Sequence, residues 1–129
     1  MAKAENPADL ITDAEWQVAK VLWRSSPLTA AQIAGELKEG TGWSPKTVQT
    51  LIGRLVKKKI VAASGGPAPR SYRPLLSEEE CQREKAGRFV DRIFGGSFGL
   101  LVERFVEDKK LTREEIDSLR KILDETEKR

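Results

Sequence analysis

The residues best equipped for chemistry in this chain lie in one stretch, "GWSPKTVQTLIGRLVKKK". Val48, Leu51, Ile52 and Leu55 recur at a spacing of 0, 3, 4 and 7, which predicts a helix with one apolar face. That leaves Lys46, Thr47, Thr50, Gly53, Arg54 and Lys57 on the opposite side. Cations and small hydroxyls with no carboxylate among them suit a polyanion. A guanidinium such as that of Arg54 reaches guanine edges or phosphate, and the methyl of Thr47 or Thr50 can meet a thymine methyl. The start of the helix serves the same end. Ser44 can cap it, Pro45 takes the first helical position where its missing N–H costs nothing, and Trp43 can staple onto Val48. Thr47 stands where a Glu would complete a capping box. The helix N-terminus therefore keeps its affinity for anions, with no carboxylate to repel phosphate. Lys57 and Lys58 extend the basic run, and phosphate contacts are expected from both.

Other chemistries find little support. The chain has no histidine and a single cysteine, Cys81, so most metal sites, His-dependent catalytic triads and an internal disulfide are excluded. "GGPAP" lacks the Lys-Ser/Thr pair of a phosphate-cradling loop, and the carboxylates are scattered or used in caps. No cofactor, no metal and no catalysis are expected. Hydrophobic content is 39% and charged content 33% over 129 residues, as in a soluble helical protein. No apolar run approaches the roughly 18 residues that would span a membrane. "MAKAENPADL" has no apolar leader core, so a cytoplasmic location without membrane insertion is expected. The net charge of +3 is unevenly placed. Residues 1–76 hold 11 Lys/Arg against 6 Asp/Glu, a balance of +5, while residues 77–129 hold 12 against 14, a balance of −2. The basic front half is the one suited to nucleic acid.

The elements that must position these residues announce their own starts. An apolar residue, a Ser/Thr, a Glu/Gln three places on and a second apolar residue recur in "ITDAEW", "LTAAQI", "LSEEEC" and "LTREEI". Each is a capping box with a hydrophobic staple, satisfying amide donors that a helix N-terminus leaves without partners. Helices are predicted over about 13–25, 30–38 and 45–58. Trp16 and Trp23 are expected in the core of the first, and Ile33, Ala34 and Leu37 face inward on the second. "KIVAAS" and "RSYRPL" then flank the Gly/Pro-rich tip as two short strands. Three helices followed by a hairpin is the order of a winged helix-turn-helix, whose third helix enters the major groove. The wing would bring Arg70 and Arg73 to the DNA backbone. Beyond Pro74, helices are predicted over 78–94, 98–106 and 113–127, with Cys81 as a small buried apolar residue at the first staple. Their apolar positions include Phe89, Ile93, Phe98, Leu101, Val102, Phe105, Val106, Ile116, Leu119, Ile122 and Leu123. About 50 residues make a marginal core alone, so these faces are expected to form a homodimer interface. The fold class is thus mainly α: a DNA-binding winged helix over residues 1–76 and a three-helix dimerisation region over 77–129.

"TDAEWQVAKVLW", "WSPKTVQTLIGRLVKKK" and "GGSFGLLVERFVED" together resemble the penicillinase-repressor family, the BlaI/MecI/CopY group of winged-helix transcriptional repressors. The resemblance runs from about Leu10 to Leu123, and Trp43 to Thr47 is its most specific part. It implies a homodimeric repressor that binds an inverted-repeat operator in double-stranded DNA. By the match, Lys46, Thr47, Gln49, Thr50 and Arg54 align with recognition-helix positions, and Ser44, Lys57, Lys58, Arg70 and Arg73 complete the expected DNA-facing set. In antibiotic-resistance members a membrane sensor triggers proteolysis in the dimerisation region. The resemblance thereby implies a sensor protease as partner, with Arg104–Phe105 as the matching bond; relatives commonly carry Asn before the Phe, a departure that counts against the same protease and signal here. The copper-responsive branch carries a C-terminal C-x-C cluster, and Cys81 alone does not supply one. Two alternatives use the same fold: a winged-helix module for a protein partner, and a regulator with a small-molecule effector between its halves.

Overall fold

In the computed structural model, residues 11–66, 69–108 and 110–129 are described. The chain runs α1 (Asp13–Arg24), β1 (Leu28–Thr29), α2 (Ala30–Thr41), α3 (Pro45–Lys57), β2 (Val61–Ser64), β3 (Ser71–Pro74), α4 (Glu78–Phe94), α5 (Phe98–Asp108) and α6 (Arg113–Glu127). All four capping boxes form. Thr12 and Glu15, Thr29 and Gln32, Ser77 and Glu80, and Thr112 and Glu115 exchange reciprocal backbone-to-side-chain hydrogen bonds of 2.8–3.2 Å. The Ser77 amide and then its hydroxyl hold the Glu80 carboxyl below its ordinary pKa, and Thr112 does the same for Glu115. Both caps therefore contribute above the normal carboxylate pKa and weaken as pH falls through the depressed one.

The first compact unit packs α1, α2 and α3 around a three-stranded antiparallel sheet ordered β1-β3-β2. Val61 pairs with Pro74 and Ser64 with Ser71 across the hairpin, while Leu28 pairs with Tyr72. This is a winged helix-turn-helix. Val18, Leu22, Ile33, Val48, Leu55, Ile60 and Val61 are buried in its core. Trp16 and Trp23 meet edge to face at its margin with ring centroids 5.1 Å apart, and the Trp23 indole donates to the Leu76 carbonyl at 3.0 Å. Two features differ from expectation. Helix α2 reaches Thr41, three residues past Lys38, because Gly42 closes it in the left-handed conformation (φ 70°) with its N–H on the Lys38 carbonyl. Strand β1 adds a third strand, but its two residues double as the approach to the α2 cap, too short to carry an alternation of its own.

This unit ends at Arg88, and the second covers Phe89–Arg129. The break expected between residues 76 and 77 thus falls inside the first unit. The first turns of α4 are anchored there: Cys81 is fully buried in its core, and Glu78 lies 3.8 Å from Lys20 on α1. Burial, followed by the nearby Glu80 charge, pushes the Cys81 thiol up to about 11. A native protein at pH 8 is therefore expected to leave Cys81 unmodified by a disulfide reagent over the minutes in which the guanidinium-unfolded chain reacts fully. Rapid modification of the folded protein would show that this corner of the core opens readily.

In the second unit, α5 and α6 bury no residue and pack little on one another. Phe98 is 56% exposed, Phe105 46%, and Leu123 58%. The apolar residues anticipated from the sequence lie on helices, and most of them keep a large share of their surface exposed.

Candidate nucleic-acid interface

Helix α3 holds its outer face in place by what it buries on the other side. Val48, Leu51, Ile52 and Leu55 are all at most 5% exposed, so the helix cannot rotate about its axis without losing that contact. At its start the Ser44 hydroxyl accepts the Thr47 N–H at 3.2 Å and shares a hydrogen bond with the Thr47 hydroxyl at 3.1 Å. No acidic residue occupies the first turn. The Thr50 hydroxyl donates to the Lys46 carbonyl at 3.1 Å, which uses its only proton and leaves the methyl group and the oxygen lone pairs for a partner. Ser44, Lys46, Thr47, Gln49, Thr50, Arg54 and Lys57 are all exposed. Among the described residues, no ion pair engages Lys46, Arg54 or Lys57.

The wing adds Arg70, just before β3, and Arg73 within it, both exposed. Its strands are tied near the tip by Ser64 and Ser71, whose hydroxyls lie 3.2 Å apart. Pro67 and Ala68 of the tip lie outside the described residues, as do residues 1–10, on which the reading of a leader-free N-terminus rested.

Lys58, expected among the phosphate ligands, is half-buried and has a partner within the protein. Its ammonium lies 2.5 Å from Glu15 Oε1, and its side chain is only 24% exposed against 1% for Glu15. The buried Glu15 carboxylate thus has a cation within hydrogen-bonding distance. In the sequence Glu15 shows only its role as a cap, and this pair is not evident. A signal was present, since Glu15, Val18, Ala19 and Leu22 stand at i, i+3, i+4 and i+7 and so put the acid on the buried face of α1.

Of the residues expected at a dimer interface, Phe89, Ile93, Phe98, Phe105, Val106, Leu119 and Leu123 are exposed, and Leu101, Val102 and Ile116 are half-buried. Ile122, 55% exposed, belongs with them. Phe89 and Phe94 pair edge to face at the end of α4. Arg104 and Phe105 lie inside α5, where the Arg104 guanidinium contacts Glu107 at 3.2 Å. Among the described residues there is no cluster of three or more metal-ligating side chains, and no helix is long and apolar enough to cross a membrane.

Comparison with known proteins fits this arrangement. Residues 11–125 match the family described as penicillinase repressor. The methicillin resistance regulatory protein MecI of Staphylococcus aureus (strain N315) is 34% identical over 119 residues, covering 92% of this chain and 97% of that protein. The penicillinase repressor of Bacillus licheniformis is also 34% identical, covering 92% and 93% of the two chains. Among solved structures, the DNA-binding domain of the repressor BlaI superposes with a TM-score of 0.51 at 34% identity, covering 62% of this chain and 93% of that one. A buried stripe that fixes α3, a basic outer face and a match along nearly the whole length agree: the chain belongs to the penicillinase repressor family.

Proposed function

We propose that the protein acts as a homodimeric cytoplasmic repressor that binds an inverted-repeat operator through one α3 helix from each copy. Membership of the family makes it a DNA-binding regulator of transcription; the dimer, the operator symmetry and the residue roles are the finer reading. In it, Arg54 reads a base edge or a phosphate, Lys46 and Lys57 take phosphates, Thr47, Gln49 and Thr50 face the groove floor, and Arg70 and Arg73 grip the backbone beside it. The observation that carries this is the outer face of α3: exposed cations and hydroxyls, no carboxylate, and a fully buried stripe behind them. Dimerisation is supported by the open apolar faces of α5 and α6, since contiguous exposed apolar surface of this kind marks association. A sensor protease cutting at Arg104–Phe105 would sever α5 and detach α6 from the remainder. Both residues sit in helix, so the cut requires local unwinding.

The test uses a duplex selected by the full chain from a randomised library. Arg54→Ala is expected to lower affinity for it about tenfold, the loss of one good base or phosphate contact, with no change in melting temperature. Equal binding by wild type and variant would remove Arg54 from the interface. Selection that yields no inverted repeat, with salt-insensitive binding, would favour the protein-partner module instead.

A further inference from the structure

A buried acid ties down the end of the recognition helix. Oxygen Oε1 of Glu15 accepts the Thr12 N–H at 3.1 Å and the Lys58 ammonium at 2.5 Å. Thr12 caps the start of α1, and Lys58 closes α3, its own N–H returning to the Arg54 carbonyl at 3.0 Å. One carboxylate oxygen therefore joins the first turn of α1 to the last turn of α3. The chain changes direction immediately afterwards. Lys59 takes the left-handed conformation at φ 63°, and Ile60 is buried, with its N–H on Leu55 and its carbonyl accepting from Leu75 beside the wing. The pair thus sits at the joint where the recognition helix hands over to the hairpin.

We propose that Glu15 and Lys58 are positioning residues for operator recognition: their buried ion pair sets the recognition helix and the wing at the angle DNA requires, and Lys58 itself binds no phosphate. The inference rests on the DNA-binding function proposed above. A buried carboxylate is costly unless it is paired with good geometry, and apolar side chains would fill the same space without demanding one orientation. Arg54 lies one turn before Lys58 and is hydrogen-bonded to it through the backbone, so slack at Lys58 displaces the residue expected to read the groove. Misplacement harms contacts with base edges, which carry sequence information, more than contacts with the uniform phosphate backbone.

The experiment uses the full chain with two duplexes, one selected by wild type from a randomised library and one of random sequence. It is run at a temperature where tryptophan fluorescence reports every variant folded. Lys58→Met is expected to weaken binding to the selected duplex about tenfold, comparable to one mismatched base pair, while binding to the random duplex and its salt dependence stay at wild-type values. Lys58→Arg, which keeps a cation for Glu15, should restore the preference. Lys57→Gln should behave differently, weakening both duplexes and flattening the salt slope by about 0.9. If Lys58→Met fails to fold, Glu15→Gln retains the acceptor for Thr12 and should show the same selective loss to a smaller degree. The inference is overturned if Lys58→Met flattens the salt slope as Lys57→Gln does, which makes it a phosphate ligand. It is equally overturned if the folded variant binds both duplexes like wild type, which makes the pair structural only. Failure of the functional reading looks different, because wild type would then select no preferred duplex at all.

Discussion

Phe105→Asp is expected to leave the protein monomeric at concentrations where wild type sediments as a dimer, and to lower affinity for a two-half-site operator by at least about a hundredfold. Phe105 is 46% exposed on α5 among Phe98, Val106, Leu101 and Val102, on a helix with no buried residue. A second chain laid on that face would desolvate the new carboxylate, and a buried charge left unpaired is neutralised or excluded at high cost. The loss in DNA affinity follows from tethering. Two recognition helices on one particle make the second half-site contact intramolecular, and a monomer forfeits that advantage without losing any contact of its own. Phe105→Leu, which keeps the apolar surface, is the control and should stay dimeric. Equilibrium sedimentation decides the matter: an unchanged mass for Phe105→Asp would move the interface away from α5.

The second large effect lies beneath the recognition helix. Leu55→Ala removes a side chain with no exposed surface from the core cluster of the first unit. Truncating a buried leucine costs about 3 kcal/mol, combining lost transfer energy with the cavity left behind. For a domain of this size that lowers the melting temperature by about 15 °C. Trp16, Trp23 and Trp43 are the three tryptophans of the chain and all lie in the first unit, so a fluorescence melt reports its unfolding separately from the C-terminal helices. Leu55→Met, which conserves volume, should cost less than about 1.5 kcal/mol. A shift of under about 3 °C for the alanine variant would mean that the core collapses around the gap and that α3 is less firmly seated than its burial implies.

What could be read from the sequence was whatever is governed by local rules. Capping boxes act over four residues, and Thr12, Thr29, Ser77 and Thr112 marked four helix starts correctly. The stripe at Val48, Leu51, Ile52 and Leu55 fixed which face of α3 is open. Helix ends and strand pairing were harder because they depend on backbone conformations and distant partners. Gly42 stops α2 through a left-handed turn, and β1 exists only because β3 lies beside it. The residues read as the outer side of α3 are exposed, while the pairing of Lys58 was not legible, since Glu15 stands 43 residues away in the chain. A run of three lysines looks uniform in one dimension. In three, Lys57 and Lys59 are exposed and Lys58 turns back to the core.

Helices α5 and α6 fully bury none of their residues, and that bears on dosage. When the cover for these faces comes from a second copy, the tail's order is subject to mass action and weakens on dilution. The abundance of paired molecules then rises with the square of the chain's concentration while pairs are scarce, so promoter occupancy climbs more steeply than expression. Modest depletion, by dilution at cell division or by destruction of a fraction of the copies, would release the gene sharply instead of gradually.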